Sequence, residues 1–510
     1  MGTTWGGRKS AVAFGAIVLL LLVLPLQNVI QDSDGAVPAA GKRLGSDVPV
    51  VMILLDELPT AHLMTSDGQQ IDSRRFPQIA KFASGATWYR DNVTGGDFTA
   101  WAVPSVLTGN LSNERTLPTA AAQPNNLFTL FGPGRNVHAQ EEVTELCPVE
   151  ICPDGRQGEA PDLTTADGFI KAKFRPFDPA EIRNWTKNIP AGRGTLSFIH
   201  AKIPHLPLRY LPTGQSYPFG ALLMPSDMGE MGWSADEPAV DFVEQRHLLQ
   251  TGFADRMVGE ILRKIKANGD FRQAMIIFVA DHGISFDPYD LRRDLTPTNV
   301  GAIANPPLII KYPGQTAGRI STASTQSLDI LPTIAQVLGA EIPSTDGQTI
   351  DKATPDRILT VSTDRMGQLQ FTVDQMREDR AALLASRKLR LGERNLWKLG
   401  PKSWLIGSRP RPSGYAPKAR FKLDLPFLVK QASSSRRQVP AMVGGVLHGI
   451  EVGKTIALAW GDRIVATTRS FYYKDRIRFG AMVHPSVMKR GQNKIRLYLV
   501  GPGNRQRLIP

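Results

Sequence analysis

Val48-Pro49-Val50-Val51-Met52-Ile53-Leu54-Leu55-Asp56-Glu57-Leu58-Pro59 decides how this chain is read. Val48 to Leu55 is a continuous apolar run of strand length that ends on two carboxylates. A run without polar alternation fits a strand buried on both faces, as in a parallel sheet. A second stretch repeats the pattern, with apolar Met275–Ala280 followed by Asp281-His282-Gly283. Leu196–Ile199 is a further strand candidate ending at His200, and Pro307–Lys311 is another. Helical apolar spacing marks Phe76–Ala83. It marks Val240–Asn268 more clearly, with Phe242, Leu249, Phe253, Met257, Ile261 and Ile265 recurring and Gly269 beyond the end. Leu328–Leu338 reads as a helix opened by Ser327.

Strands alternating with helices predict a doubly wound α/β domain with a mostly parallel sheet, whose ligands gather beyond the carboxyl ends of the strands. Asp56, His200 and Asp281-His282 all fall at such ends. Carboxylates and a histidine placed there suit a divalent cation. A hydroxyl on a tight turn beside them can be ionised and used as a nucleophile. The segment Phe98-Thr99-Ala100-Trp101-Ala102-Val103-Pro104-Ser105-Val106-Leu107-Thr108-Gly109 supplies such hydroxyls.

The chain has 510 residues, too many for one ordinary core. Residues 1–30 are expected to be a membrane anchor or signal segment, 31–47 a linker and 48–365 the α/β domain. Residues 366–438 read as a basic connector, helical first and then Pro-, Gly- and Ser-rich. Residues 439–510 read as a small antiparallel β-domain, with Ile456–Trp460 and Ile464–Thr468 joined by a Gly461-Asp462 hairpin turn. That domain is expected to pack on the α/β domain rather than to bind carbohydrate.

Arg8 and Lys9 precede an apolar run from Ala11 to Leu26, and no acidic residue occurs before Asp32. The run continues through Val29-Ile30 toward the ~20 residues that span a bilayer, which favours an uncleaved single-pass anchor. The small residues Ala36 to Ala40 leave a cleaved signal peptide as the alternative. By the positive-inside rule, the chain beyond Asp32 is expected outside the cytoplasm, tethered to the cell membrane. A hydrophobic fraction of 42% excludes a multi-span membrane protein. The net charge of +13 reads as a solvated basic surface, with anionic lipids or phosphorylated substrates as the second reading. No nucleic-acid motif accompanies it. In an exported chain Cys147 and Cys152 are expected to close a local disulfide; a two-cysteine metal site is the competing reading.

Taken in order, these pieces resemble the alkaline phosphatase superfamily, and within it the sulfatase-like hydrolases and transferases. The resemblance runs from Val48 to Leu338, roughly three-fifths of the chain. Asp56-Glu57 resembles the first metal carboxylate after strand one, and Phe76-Pro77 through Thr87-Trp88-Tyr89 the approach to the nucleophile. Thr99 to Gly109 resembles the nucleophile turn, His200 and His205 the substrate-side histidines, and Asp281-His282-Gly283 the second metal pair. Pro307–Gly314 and Ser327–Thr333 resemble later structural signatures. True sulfatases carry Cys or Ser in a Cys-x-Pro-x-Arg motif that becomes formylglycine. Here Thr99, Trp101 and Val103 occupy those slots, so formylglycine chemistry is excluded. A threonine in that slot resembles the phosphodiesterases and the membrane-anchored phosphoglycerol and phosphoethanolamine transferases.

The resemblance implies one divalent ion, zinc or manganese first and calcium next, held by Asp56, Glu57, Thr99, Asp281 and His282. It implies Thr99 as nucleophile, with His205 and His200 as catalytic partners that bind a phosphoryl oxygen or protonate the leaving alcohol, and Lys202 adding positive charge. The only later histidines, His448 and His484, lie in the β-domain, which argues against a second metal. The expected substrate is a phosphorylated lipid or envelope glycan. The alternatives are a sulfuric- or phosphate-ester hydrolase of the same fold and a non-catalytic glycan-binding protein with a degenerate metal site. Asp97, Arg90 and Lys311 read as surface charges near the site, and Asp329 as a helix-start residue.

Overall fold

A computed structural model describes residues 44–113, 116–153, 175, 177–218, 232–233, 236–288, 290–392, 395–491 and 493–510. The anchor expected over residues 1–30 and most of the linker lie outside the described residues. Among those described, no helix is long and apolar enough to cross a membrane.

The main sheet has seven strands: β1 (Val50–Asp56), β2 (Thr87–Tyr89), β3 (Val137–Gln140), β4 (Leu196–Pro204), β5 (Met275–Ala280), β6 (Leu308–Lys311) and β7 (Arg319–Ser321). Their order is β3-β4-β1-β5-β6-β2-β7. The block β3-β4-β1-β5 is parallel throughout, as is the β2–β7 pair. Strand β6 runs antiparallel to both neighbours. The sheet is therefore mixed and parallel-rich. The reversal follows from the connection. The Ala280 N–H bonds the Pro307 carbonyl at 3.2 Å, so the chain re-enters β6 at the end where it left β5, without a crossover.

Helices α1 (Pro77–Ala83), α2 (Thr99–Thr108), α3 (Pro179–Lys187), α4 (Glu237–Ala267), α5 (Ile330–Leu338) and α6 (Val373–Leu391) surround the sheets. Alternate residues of the central strands feed two cores, because side chains in a strand alternate between faces. Val50, Met52 and Leu54 share one core with Phe198, Ile277 and Val279, covered by α2 and α5. Val51, Ile53 and Leu55 share the other with Ile276 and Phe278, covered by α1 and α4. Strands β2, β3 and β7 have only three or four residues each, too few for a period to show in the sequence.

Asp255 of α4 reaches across the layer and accepts the backbone N–H groups of Gln78 (3.0 Å) and Ile79 (2.8 Å), capping α1. Burial pushes its carboxyl up to about 6, and those bonds only partly offset the rise. The ordinary value for an unfolded aspartate is about 3.9. Between the two values the folded state holds the extra proton, so this group lowers stability as pH rises from about 4 to about 6. Asp255→Asn keeps an acceptor oxygen and removes the titration. Urea unfolding at intervals across that window is expected to show a flatter pH dependence in the variant; an unchanged slope would refute the assignment.

The C-terminal part folds into two sheets. One holds β10 (Pro412–Tyr415), β13 (Thr455–Trp460), β14 (Arg463–Arg469), β17 (Ile495–Val500) and β18 (Gln506–Ile509). The other holds β11 (Arg420–Leu423), β12 (Met442–His448), β15 (Phe471–Tyr473) and β16 (Arg476–Met482). All pairings are antiparallel except β10–β18. Strands β10 and β11 come from the stretch read as irregular connector, whose Pro412 and Gly414 hide a four-residue strand. A hairpin of β8 (Ile358–Thr363) and β9 (Gly367–Thr372) leads into α6. Both C-terminal sheets pack on α4 through one continuous core. Phe242 lies 6.4 Å from Phe471 between ring centres, and a Cβ at Gly480 would come within 2.5 Å of Phe242. Cys147 and Cys152 form the expected disulfide, so no cysteine pair is free for a metal.

Candidate active site

The strand face that is apolar at Leu54, Phe198 and Val279 becomes polar two residues further along each strand. Asp56 ends β1 and Asp281 directly follows β5, but His200 stands mid-strand in register with Leu54, because β4 runs on to Pro204 instead of stopping at Ile199. Period-two alternation in three parallel, in-register strands is what gathers them. Each offers one ligand atom, and those atoms all lie within 4.8 Å of one another. All three residues are buried. Both carboxylate oxygens of Asp56, Oδ2 of Asp281 and both ring nitrogens of His200 lack a hydrogen-bond partner. Buried polar atoms are normally satisfied, so this convergence of unsatisfied donor atoms fits a bound cation. Burial, then the charges of Asp281 and Glu57, raise the Asp56 carboxyl well above its usual range. Burial pushes the His200 imidazole down to about 4. Burial thus leaves His200 a neutral imidazole, the form that ligates metals, beside carboxylates crowded together out of water.

Thr99 and His282 stand beside the cluster, on the Asp281 side. Thr99 is the first residue of α2, not part of a free turn. Its Oγ1 sits at a helix N-terminus, where unpaired N–H groups and the helix dipole favour negative charge. It lies 3.4 Å from His282 Nε2, which in turn lies 3.5 Å from Asp281 Oδ2. Ligands about 2.0–2.1 Å from one tetrahedral ion are separated by roughly 3.4 Å, so these spacings suit a shared metal. The other nitrogen of His282, Nδ1, faces the Gly283 carbonyl at 2.8 Å. That bond places the proton on Nδ1 and turns the Nε2 lone pair toward Thr99. Asp281 Oδ1 accepts the N–H groups of Glu57 (3.0 Å) and His282 (2.6 Å), which locks the carboxylate in place.

Two residues sit differently from the sequence expectation. Glu57 directs Oε1 to Arg293 Nε at 3.0 Å and lies outside the convergent set. Burial alone would raise its carboxyl, but Arg293, His205 and Arg292 hold it well below the usual range. Its φ of 65° is unusual for a residue with a side chain. His200, read as a substrate-side group, stands instead with the two aspartates. His205 lies within the electrostatic reach of Glu57, and burial pushes its ring down to about 3. Its Nδ1 is 2.6 Å from the Leu206 carbonyl, so the ring is neutral with an accepting Nε2. Lys202 extends the same strand face, buried, with Glu142 and Asp56 as its charge partners.

Asp97 and Lys311, read as surface charges, are both buried. Asp97 Oδ2 accepts the Leu295 N–H at 3.1 Å, and burial raises its carboxyl to about 7. Lys311 pairs in register with Ile276 at the far end of β5 and donates to backbone carbonyls there, away from the site. Arg90 lies against Asp91 at 3.8 Å. Asp329 accepts the Gln326 N–H and ion-pairs with Arg357, as a helix-start residue.

Arg293 and a buried histidine relay were not legible in the sequence. The Arg293 Nη2 is 3.5 Å from His282 Nε2, which puts a permanent cation beside the proposed nucleophile. The only signal was the run Leu291-Arg292-Arg293-Asp294 shortly after Asp281-His282. Behind Glu57, its carbonyl meets His247 Nε2 at 3.1 Å; His247 Nδ1 meets His62 Nδ1 at 3.0 Å; and His62 Nε2 meets Glu244 at 3.3 Å. Arg390 of α6 closes the chain on Glu244 at 3.0 Å. The i,i+3 pair Glu244 and His247 lay inside a helix read for its apolar stripe alone.

Residues 246–340, which include Asp281-His282 and Arg293, match the sulfatase family. Both this match and the relative below are similar to part of the chain only, and both point to the sulfatase-like part of the alkaline phosphatase superfamily. A 102-residue stretch is 31% identical to the multifunctional alkaline phosphatase superfamily protein PehA of Trinickia caryophylli, covering 19% of each chain. This match spans about a fifth of that relative's length. Among solved structures, a phosphonate monoester hydrolase from Silicibacter pomeroyi aligns with TM-score 0.43 and 17% identity over 62% of this chain and 80% of that one. A sulfatase from Bacteroides thetaiotaomicron, itself described as putative, aligns with TM-score 0.43 and 14% identity, over 67% and 91%.

Proposed function

We propose that this chain is a metal-dependent hydrolase or transferase that displaces a phosphoric ester through Thr99. The reading rests chiefly on the Thr99 hydroxyl standing 3.4 Å from His282, beside the unsatisfied buried cluster of Asp56, His200 and Asp281. Asp56, Asp281, His200 and His282 would hold one divalent ion, zinc or manganese, with Thr99 Oγ1 at its edge. When bound, such an ion supplies Lewis acidity that lowers the pKa of a neighbouring hydroxyl and offsets charge on phosphoryl oxygens.

The protein's own groups do the rest. The helix N-terminus at Thr99 favours the alkoxide after its proton passes to solvent. Thr99 Oγ forms a bond to phosphorus as the ester P–O bond breaks in line, and the leaving alkoxide takes a proton from solvent. Arg293 provides fixed positive charge for the equatorial oxygens, where charge spreads in the transition state. Water or an acceptor alcohol then attacks the phospho-threonine and frees Thr99. His205, neutral with an accepting Nε2, suits orientation of an incoming hydroxyl better than protonation of the leaving group.

In this reading residues 1–30 tether the enzyme to the outer face of the cell membrane, and the substrate is a phosphorylated lipid or envelope glycan. A sulfuric ester is the second reading, favoured by the family match over residues 246–340. Purified protein is expected to carry one equivalent of divalent metal and to cleave an aryl phosphodiester faster than an aryl sulfate. A chelator should abolish turnover, and added zinc or manganese should restore it. Full activity in metal-free protein would overturn the proposal, and preference for the sulfate would select the second reading.

A further inference from the structure

The basic charge is not spread over the chain. Residues 401–510 hold 21 Lys and Arg against 4 Asp and Glu, whereas the first 400 residues hold 39 against 43. The whole positive excess therefore belongs to the segment that builds the two C-terminal sheets. Register places part of it on one surface. In the four-stranded sheet Arg420 lies opposite His448, Lys422 opposite Val446, and Val446 opposite Arg478. Arg476 is two residues from Arg478 and shares its face. Further along that face Gly444 pairs with Gly480, where Phe242 of α4 packs. One end of the face is thus covered by α4, and the other end presents Arg420, Lys422 and Arg476 to solvent. Lys418 and Lys474 flank it, also exposed. None of these five has a carboxylate partner among the described residues; Arg478 is paired with Asp424. Tyr415, three residues before Lys418, is 68% exposed.

We propose that this face docks on an anionic lipid bilayer, holding the catalytic part against the membrane that residues 1–30 are read to span. Cationic side chains without carboxylate partners match the headgroup zone of an anionic leaflet. Seventeen residues separate Leu26 from Leu44, a reach of up to roughly 60 Å when fully extended. The inference rests on the tethered reading above, and the test separates the two.

The full chain carries no free cysteine, so Val452→Cys, in the exposed turn just after His448, accepts a single dye. The labelled chain is reconstituted into vesicles of phosphatidylcholine alone or with about 30 mol % phosphatidylglycerol, each bearing an acceptor-labelled lipid. Flotation with neutral vesicles reports the tether, and energy transfer reports docking. Transfer is expected to rise with phosphatidylglycerol and to fall to the neutral level in 0.5 M salt, where the Debye length is only a few ångströms. Lys422→Gln/Arg476→Gln should weaken the rise, and Lys418→Glu/Lys422→Glu/Arg476→Glu should abolish it. The three reversed positions correspond to roughly a hundredfold or greater loss in the ratio of docked to undocked protein. Transfer that is indifferent to phosphatidylglycerol, or the same in the reversed variant, would overturn the proposal. So would equal displacement by soluble polyphosphate in the absence of vesicle charge, which would assign the face to a free polyanion. Failure to float with neutral vesicles would instead count against the tether.

Discussion

Thr99→Ala should lower turnover by about a thousandfold or more, the usual scale for losing a covalent nucleophile. Thr99 is the first residue of α2; alanine keeps its Cβ and drops the hydroxyl and the Cγ2 methyl, and Thr99 is not among the residues of the core that α2 covers. Helix propensity moves slightly in the variant's favour. Loss of rate with an unchanged unfolding midpoint therefore reports chemistry and not folding. Thr99→Ser keeps the hydroxyl and should keep a substantial part of the rate. Mass spectrometry of wild-type protein quenched during turnover should show a phosphoryl-linked adduct on Thr99, absent from Thr99→Ala. An adduct elsewhere, or an alanine variant with wild-type rate, would remove Thr99 from the reaction.

Asp281→Asn tests the cation site with little disturbance of the backbone. Oδ1 of Asp281 accepts two N–H groups, from Glu57 and His282, and an asparagine oxygen can accept the same two. The second oxygen, Oδ2, has no hydrogen-bond partner and faces the convergent cluster. Replacing it with an amide nitrogen removes an anionic ligand and puts two donors where a cation is to sit. Metal affinity measured by titration calorimetry should fall by more than about a hundredfold, with turnover falling alongside. Retention of stoichiometric metal at wild-type affinity would show that the cluster is not a cation site.

The relay behind Glu57 explains why α6 matters to a site it does not enter. Arg390 holds Glu244, Glu244 holds His62, and the two histidines reach the Glu57 carbonyl. Burial lowers the pKa of His62 and His247, His247 to about 3; His247 Nε2 donates to the Glu57 carbonyl, which leaves His247 Nδ1 to accept from His62 Nδ1. The positive φ at Glu57 is held from behind by this chain and from in front by Asp281 and Arg293.

Much of the site could be read without coordinates because apolar strands ending in acid or histidine are a local pattern. The apolar runs Val48–Leu55 and Met275–Ala280, with the Asp56-Glu57 and Asp281-His282 that follow them, were found that way, as was the helix over Val240–Asn268 from its apolar recurrence; the structure has them as Val50–Asp56, Met275–Ala280 and Glu237–Ala267. The disulfide followed from two cysteines five residues apart in a chain read as exported. The gathering of the basic charge into residues 401–510 was also present in the sequence, but a search for one periodic face misses charge distributed over several short strands.

The linear order of residues therefore determined that carboxylates and His282 stand at the ends of two buried strands, and that a threonine stands where the resemblance expects a nucleophile. Only the folded chain decided which of them converge. His200 joins Asp56 and Asp281 because the three strands are parallel and in register, so equal parity puts all three side chains on one face. Glu57 is excluded because it is one residue out of phase and is drawn to Arg293, a partner 236 positions away in the sequence. Register and long-range ion pairing arise from how separate strands lie together, and no window along a single strand contains that information.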